Sequence, residues 1–185
     1  LAGTLYAVCL SACDAKEPLS ENRDAEIESP VIANDLSNQK VTAIAEDTQG
    51  HIWIGTFRGL NKNNVHDYHQ YFCTDDSLGL PDNQITHLLR DSKNRFWVGT
   101  VNGVCLYTDK DNFRIIPIEA DNKNVRQILE DRNGRIFLNT GFQLYAYHPR
   151  EEKITCVLPE ISPGNAFYAQ CHIAPDNNLW VMTST

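Results

Sequence analysis

The chain has 185 residues, 42% apolar and 22% charged, a composition that excludes a disordered tail and is sufficient for one domain with a sizeable core. Its 24 acidic residues against 16 basic ones, the latter scattered, give a net charge of −8 that repels phosphate backbones, so nucleic acid is excluded as a partner.

The first stretch, Leu1 to Cys13, is apolar and uncharged. It is too short to cross a hydrocarbon layer, which needs about 20 residues, but it fits the apolar part of a secretory signal. A charged leading segment is missing and Met182 is the sole methionine, so the natural chain is expected to start upstream of Leu1. Leu10-Ser11-Ala12-Cys13 resembles the lipobox of bacterial lipoproteins, in which small residues admit the signal peptidase and the cysteine, here Cys13, takes the lipid. The alternative is the end of an ordinary signal or of a membrane anchor. Either reading puts the rest of the chain outside the cytoplasm. Residues 14–39 are polar, acidic and punctuated by proline, and read as a linker that ends at the first edge of a folded domain spanning 40–185.

Beyond Gln39 the chain repeats itself, and the period decides the fold. One unit runs from Val41 to Thr56 and continues Phe57-Arg58-Gly59-Leu60; a second runs from Ile85 to Thr100 and continues Val101-Asn102-Gly103-Val104. A third, Val125 to Thr140, carries Phe137 in the tryptophan position, and a fourth begins near Phe167 and passes through Asp176-Asn177-Asn178-Leu179-Trp180. Trp53, Trp97, Phe137 and Trp180 are 44, 40 and 43 residues apart, which excludes helical repeats of about 33 or 34 residues. Within each unit two apolar runs flank a turn of the form Asp-x-x-Gly or Asp-x-x-Asn, whose small residue can take a positive φ. This is a β-hairpin signature. Two more short strands fit the remainder, for example Gly103 to Tyr107 and Phe113 to Ile118, giving four per unit. The predicted fold is therefore all-β: a propeller of four-stranded antiparallel blades, with repeats near 41–84, 85–124, 125–166 and 167–185. Trp53, Trp97, Phe137 and Trp180 are its expected blade core. About three and a half blades are present, so a fragment of a larger propeller is expected.

The recurring I-x-x-I-x-x-D-x-x-G-x-I-W-I-G-T-x-x-G-L pattern resembles the two-component regulator propeller repeat, and the resemblance covers Val41 to the end of the chain. It implies the periplasmic sensor region of a hybrid two-component histidine kinase, as in gut bacteria of the Bacteroides type, sensing carbohydrate fragments. The implied partners are a small-molecule ligand such as an oligosaccharide, the remaining blades and downstream signalling domains; a homodimer of the full-length protein is also compatible. The implied location is the periplasm, tethered to the membrane. No phosphoacceptor segment or nucleotide-binding glycine pattern is legible, so kinase activity would lie outside this fragment, which is read as non-enzymatic and without cofactors.

Cys73, Cys105, Cys156 and Cys171 have no paired spacing and are expected to be small buried hydrophobes in strands, with disulfides the alternative. His66 and His69 are expected on opposite faces of one strand, which disfavours a shared metal. Asp47, Asp91 and Asp131 recur at the hairpin turn and are expected to form it. Ligands of propellers usually meet the face where turns between second and third strands approach the inter-blade loops. Here those turns carry Arg58, Asn102 and Gln143, and the connections carry Asn83 and Asn124, whose amides and guanidinium suit sugar hydroxyls. A free-standing propeller lipoprotein acting as an envelope scaffold is the second reading, motivated by Cys13. A propeller enzyme would need a cluster of catalytic groups on the central face, and none is legible.

Overall fold

A computed structural model of the chain describes residues 31–74, 79–108, 110–159 and 167–184. The segment 1–13, Cys13 with it, and most of the linker lie outside the described residues. The described residues form fifteen strands and no helix. Blade 1 contains β1 (Val31–Ala33), β2 (Val41–Glu46), β3 (Ile52–Thr56), β4 (Gly59–Asn64) and β5 (Asp67–Tyr71). Blade 2 has β6 (Ile85–Arg90), β7 (Phe96–Thr100), β8 (Gly103–Tyr107) and β9 (Phe113–Ile116). Blade 3 has β10 (Gln127–Glu130), β11 (Ile136–Asn139), β12 (Leu144–His148) and β13 (Lys153–Leu158), and β14 (Phe167–Ile173) pairs with β15 (Leu179–Ser184) in a fourth, two-stranded sheet. Every strand pairing is antiparallel, and the first strands β2, β6, β10 and β14 neighbour one another in turn, the arrangement of consecutive propeller blades.

Blade 1 exceeds the four-strand expectation. Val31, Ile32 and Ala33 sit opposite Gln70, His69 and Tyr68, so β1 covers the outer edge of β5 with a strand drawn from the stretch read as linker. The same segment reaches inward: Ser37 N–H donates to Asn61 Oδ1 at 2.8 Å, and the Gln70 amide donates to the Asp35 carbonyl at 2.7 Å.

The hairpin turns follow the predicted chemistry. Gly50, Asn94 and Gly134, each three residues after the turn aspartate, have φ of 84°, 63° and 74°. The carboxylates of Asp47, Asp91 and Asp131 each accept two backbone N–H bonds from their turn at 2.8–3.0 Å. Their second oxygens tie the turn to the core: Asp47 Oδ2 and Asp91 Oδ2 accept the indole N–H of Trp53 and Trp97, both at 2.9 Å.

Each aromatic packs against the blade that follows its own. Trp53, fully buried, lies 5.0 Å from Phe96 and 4.7 Å from Tyr107; Trp97, also fully buried, meets the edge of Tyr147 at 4.8 Å. Phe137 packs with Cys171, Leu179 and Val181 of the fourth sheet. Trp180 departs from its expected core role and is 64% exposed. It points away from blade 3, toward the side where the other aromatics are covered by a following blade. Its turn also lacks the carboxylate: the position six residues before the aromatic, aspartate in the other three blades, is Ala174.

The cysteine expectation holds for two of four. Cys105 and Cys171 are buried, whereas Cys73 and Cys156 are exposed, because the first pair face neighbouring blades and the second lie at outer strands and loops. His66 lies in the β4–β5 turn rather than on the strand that carries His69.

Candidate functional site: the loop face of the blades

The β3–β4, β7–β8 and β11–β12 turns and the inter-blade connections lie at one end of the blades, and the hairpin turns with their aspartates lie at the other. The loop-face turns are stapled by a buried threonine. Thr56, Thr100 and Thr140 donate Oγ1–H to the carbonyls of Gly59, Gly103 and Gln143 at 2.8, 3.0 and 3.1 Å. Each also accepts an N–H from its own turn, from Arg58, Asn102 and Gln143 respectively. The staple fixes the turn backbone and leaves the Arg58 and Asn102 side chains exposed.

The five residues expected to meet a ligand fare differently. Asn83 is an inter-blade clip: its Oδ1 accepts the Cys73 N–H and its carbonyl accepts the Gly59 N–H, both at 2.7 Å. Asn124 is half-buried, and its Oδ1 is shielded from solvent without a hydrogen-bond donor among the described residues. Gln143 Oε1 accepts the Tyr145 hydroxyl at 2.5 Å. Burial, with Cys156 and Asp121 adding to it, raises the Tyr145 phenol above its ordinary value and keeps it a donor.

A shallow cavity of about 520 Å³ opens at the junction of blades 2 and 3, between the connection Glu119–Asn122 and the turn residues Phe142 and Gln143. Of the five expected residues only Gln143 lines it; Arg58, Asn83 and Asn102 belong to the junction of blades 1 and 2. The threonine staple places Phe142, not Gln143, at the turn position held by Arg58 and Asn102. Aligning Thr140 with Thr56 and Thr100 would have revealed this from sequence. Phe142 gives the cavity an apolar platform, and Asp121, Asn122 and Gln143 ring it with acceptors and donors, a combination suited to stacking a sugar ring and binding its hydroxyls. Among the described residues no group of three or more His, Cys, Asp or Glu side chains could hold a metal ion.

The two-component regulator propeller family matches residues 35–58 and 79–102, which are the first hairpins of blades 1 and 2 with the segments leading into them. Two segments of the chain are thus similar to the two-component regulator propeller repeat. Among solved structures, the extracellular domain of a hybrid two-component system of B. thetaiotaomicron superposes with a TM-score of 0.68 at 24% identity, over 79% of this chain and 20% of that one. The extracellular domain of a second hybrid system of that organism gives 0.64 at 22% identity, over 80% and 21%. Virginiamycin B lyase from Staphylococcus aureus gives 0.61 at 19%, over 82% and 52%. The chain thus spans about a fifth of the length of the extracellular domains it matches, and at these identities the likeness is one of fold. No curated protein matches the chain.

Proposed function

We propose that these propeller repeats belong to the extracytoplasmic sensor region of a hybrid two-component histidine kinase, and that their loop face binds an oligosaccharide. The observation that carries the reading is the coincidence of the regulator propeller repeat in blades 1 and 2 with the fold of extracellular domains of hybrid two-component systems. In this reading the Phe142 cavity is the main ligand contact of the described blades, with Arg58 and Asn102 extending the polar face. Binding would shift the relative stability of blade arrangements and bias a kinase outside this segment. Attachment to the membrane, through a lipid on Cys13 or a helix elsewhere in the protein, belongs to the same reading.

The test is calorimetric titration of the chain with a panel of neutral oligosaccharides, followed by autophosphorylation of the full-length protein with and without the best binder. Binding by one class of saccharide, weakened about tenfold by Phe142→Ala, together with a changed phosphorylation rate, is the expected result. Absence of saccharide binding together with an unresponsive kinase would overturn the proposal.

A further inference from the structure

At the opposite, hairpin-turn end, a second cavity of about 300 Å³ lies between blades 1 and 2, and its lining breaks the repeat. Lys62 faces Trp53 across the β3–β4 ladder, where the equivalent residues of the next two blades are Leu106, opposite Trp97, and Ala146, opposite Phe137. A lysine has therefore replaced an apolar side chain beside the blade core. Its ammonium lies 5.2 Å from the Trp53 ring and 5.4 Å from the Tyr107 ring, and its hydrogen bond to protein is a long one, 3.5 Å to the Tyr107 hydroxyl. At the next junction the cation over the tryptophan is Arg95, which is neutralised by Asp91 at 2.6 Å. Among the described residues Lys62 makes no such contact ion pair, although its charge helps to hold the Asp111 carboxyl of the same cavity below its ordinary range.

The carboxylates of the cavity are already engaged. Asp47 accepts from Gln49 N, His51 N and the Trp53 indole, and Asp111 Oδ1 accepts the hydroxyls of Tyr71 and Tyr107 at 2.6 and 2.8 Å. Arg90, the other cation of the lining, donates from Nη1 to the Asp47 carbonyl at 3.2 Å, its one side-chain bond among the described residues. The spare donors of the cavity are therefore those of Lys62 and Arg90 and its spare carboxylate oxygen is Asp111 Oδ2, with the amides of Gln49 and Asn94 and the Tyr107 ring completing the lining.

We infer that this inter-blade cavity is a second ligand site, taking a carboxylate-bearing sugar of about monosaccharide size, with the carboxylate on Lys62 and Arg90 and the hydroxyls on the amides and Asp111 Oδ2. The site is independent of the loop-face cavity. Calorimetry on the chain with galacturonate, galactose and acetate as separate probes tests it. Galacturonate should bind at least about tenfold more tightly than either galactose or acetate, and both Lys62→Met and Arg90→Gln should weaken it about tenfold. Lys62→Met keeps an apolar side chain where Leu106 stands in the next blade, so the variant retains the packing. Phe142→Ala, at the other end of the blades, should leave galacturonate affinity unchanged, which separates this site from the loop face. Galacturonate binding no tighter than galactose or acetate, or unaltered in both variants, would overturn the inference.

Discussion

At the scale of single residues, the turn aspartates do more than shape a hairpin. Burial pulls the Asp131 carboxyl upward, but the Arg135 backbone N–H and guanidinium outweigh it and hold the group below its ordinary 3.8. Asp47 is likewise lowered, burial being outweighed by the Trp53 indole and the N–H groups of His51 and Gln49. At Asp111 burial is outweighed by the hydroxyls of Tyr71 and Tyr107. A carboxylate with a folded pKa below its unfolded value contributes stability above the unfolded value and loses it as pH falls through the folded one. The carboxylate contribution to stability toward urea should therefore be level above about pH 5 and fall steadily below about pH 4, added to a decline that starts below about pH 6.5 because burial holds the His87 imidazole below its ordinary value. In the Asp47→Asn, Asp131→Asn double variant the fall should be shallower, since two of the groups that must take up protons are gone. An equal decline in parent and double variant, followed by urea midpoints from pH 6 to 3, would exclude these carboxylates as the source.

Among elements, the inter-blade seam depends on the glycine of the Trp-x-Gly-Thr run. A Cβ on Gly55 would stand 2.5 Å from Ile85 Cγ2 and 3.0 Å from Ile85 Cβ, so β3 and β6 approach each other only because residue 55 has no side chain. At Gly99 the nearest atom would be Val125 Cγ1 at 3.2 Å, a gap that small shifts can accommodate. Gly55→Ala is expected to cost about 1–3 kcal/mol and Gly99→Ala less, because Ile85 is β-branched and fully buried and cannot swing away. Denaturant midpoints of the two variants decide it; a larger loss at Gly99 would contradict the seam geometry. Blade 3 solves the same problem differently: Asn139 replaces the glycine, is fully buried, and donates to Gln127 Oε1 and the Tyr168 carbonyl at 3.3 and 3.2 Å. The hairpins were legible because the aspartate, the small residue at positive φ and the aromatic recur in register. The pairing of β1 was not, since three residues carry too little pattern to separate an edge strand from a linker. Nor was the role of Lys62, because Asn61-Lys62-Asn63-Asn64 reads as a solvated strand, although Asn61 is buried and bonded to Ser37 and the Ile54 carbonyl. On the loop face Arg58 and Asn102 were legible as turn residues, whereas Phe142 was passed over for Gln143 and the cavity, assembled from two blades, was not legible.

Over the whole molecule, each junction buries two kinds of surface: the aromatic face of one blade and the first-strand face of the next. Leu88 and Ile128 are buried in the seams toward their preceding blades, whereas Ile44, at the same register in blade 1, is 65% exposed. Trp180 and Met182, at 64% and 62%, form the complementary face on the fourth sheet. The three tryptophans of the chain thus occupy two environments, with Trp53 and Trp97 sealed inside seams and Trp180 open to solvent. Acrylamide should quench one emission component of the chain strongly and leave the remainder almost untouched, and Trp180→Phe should remove the accessible component without shifting the blue-edge emission of the other two. In a longer chain with a further blade beside β15, Trp180 should gain the protection that Phe96 and Tyr107 give Trp53, and the accessible component should disappear. Uniform quenching of all three tryptophans in the 185-residue chain would mean that the seams between blades open in solution, and persistence of the accessible component in the extended chain would mean that Trp180 is not a seam residue.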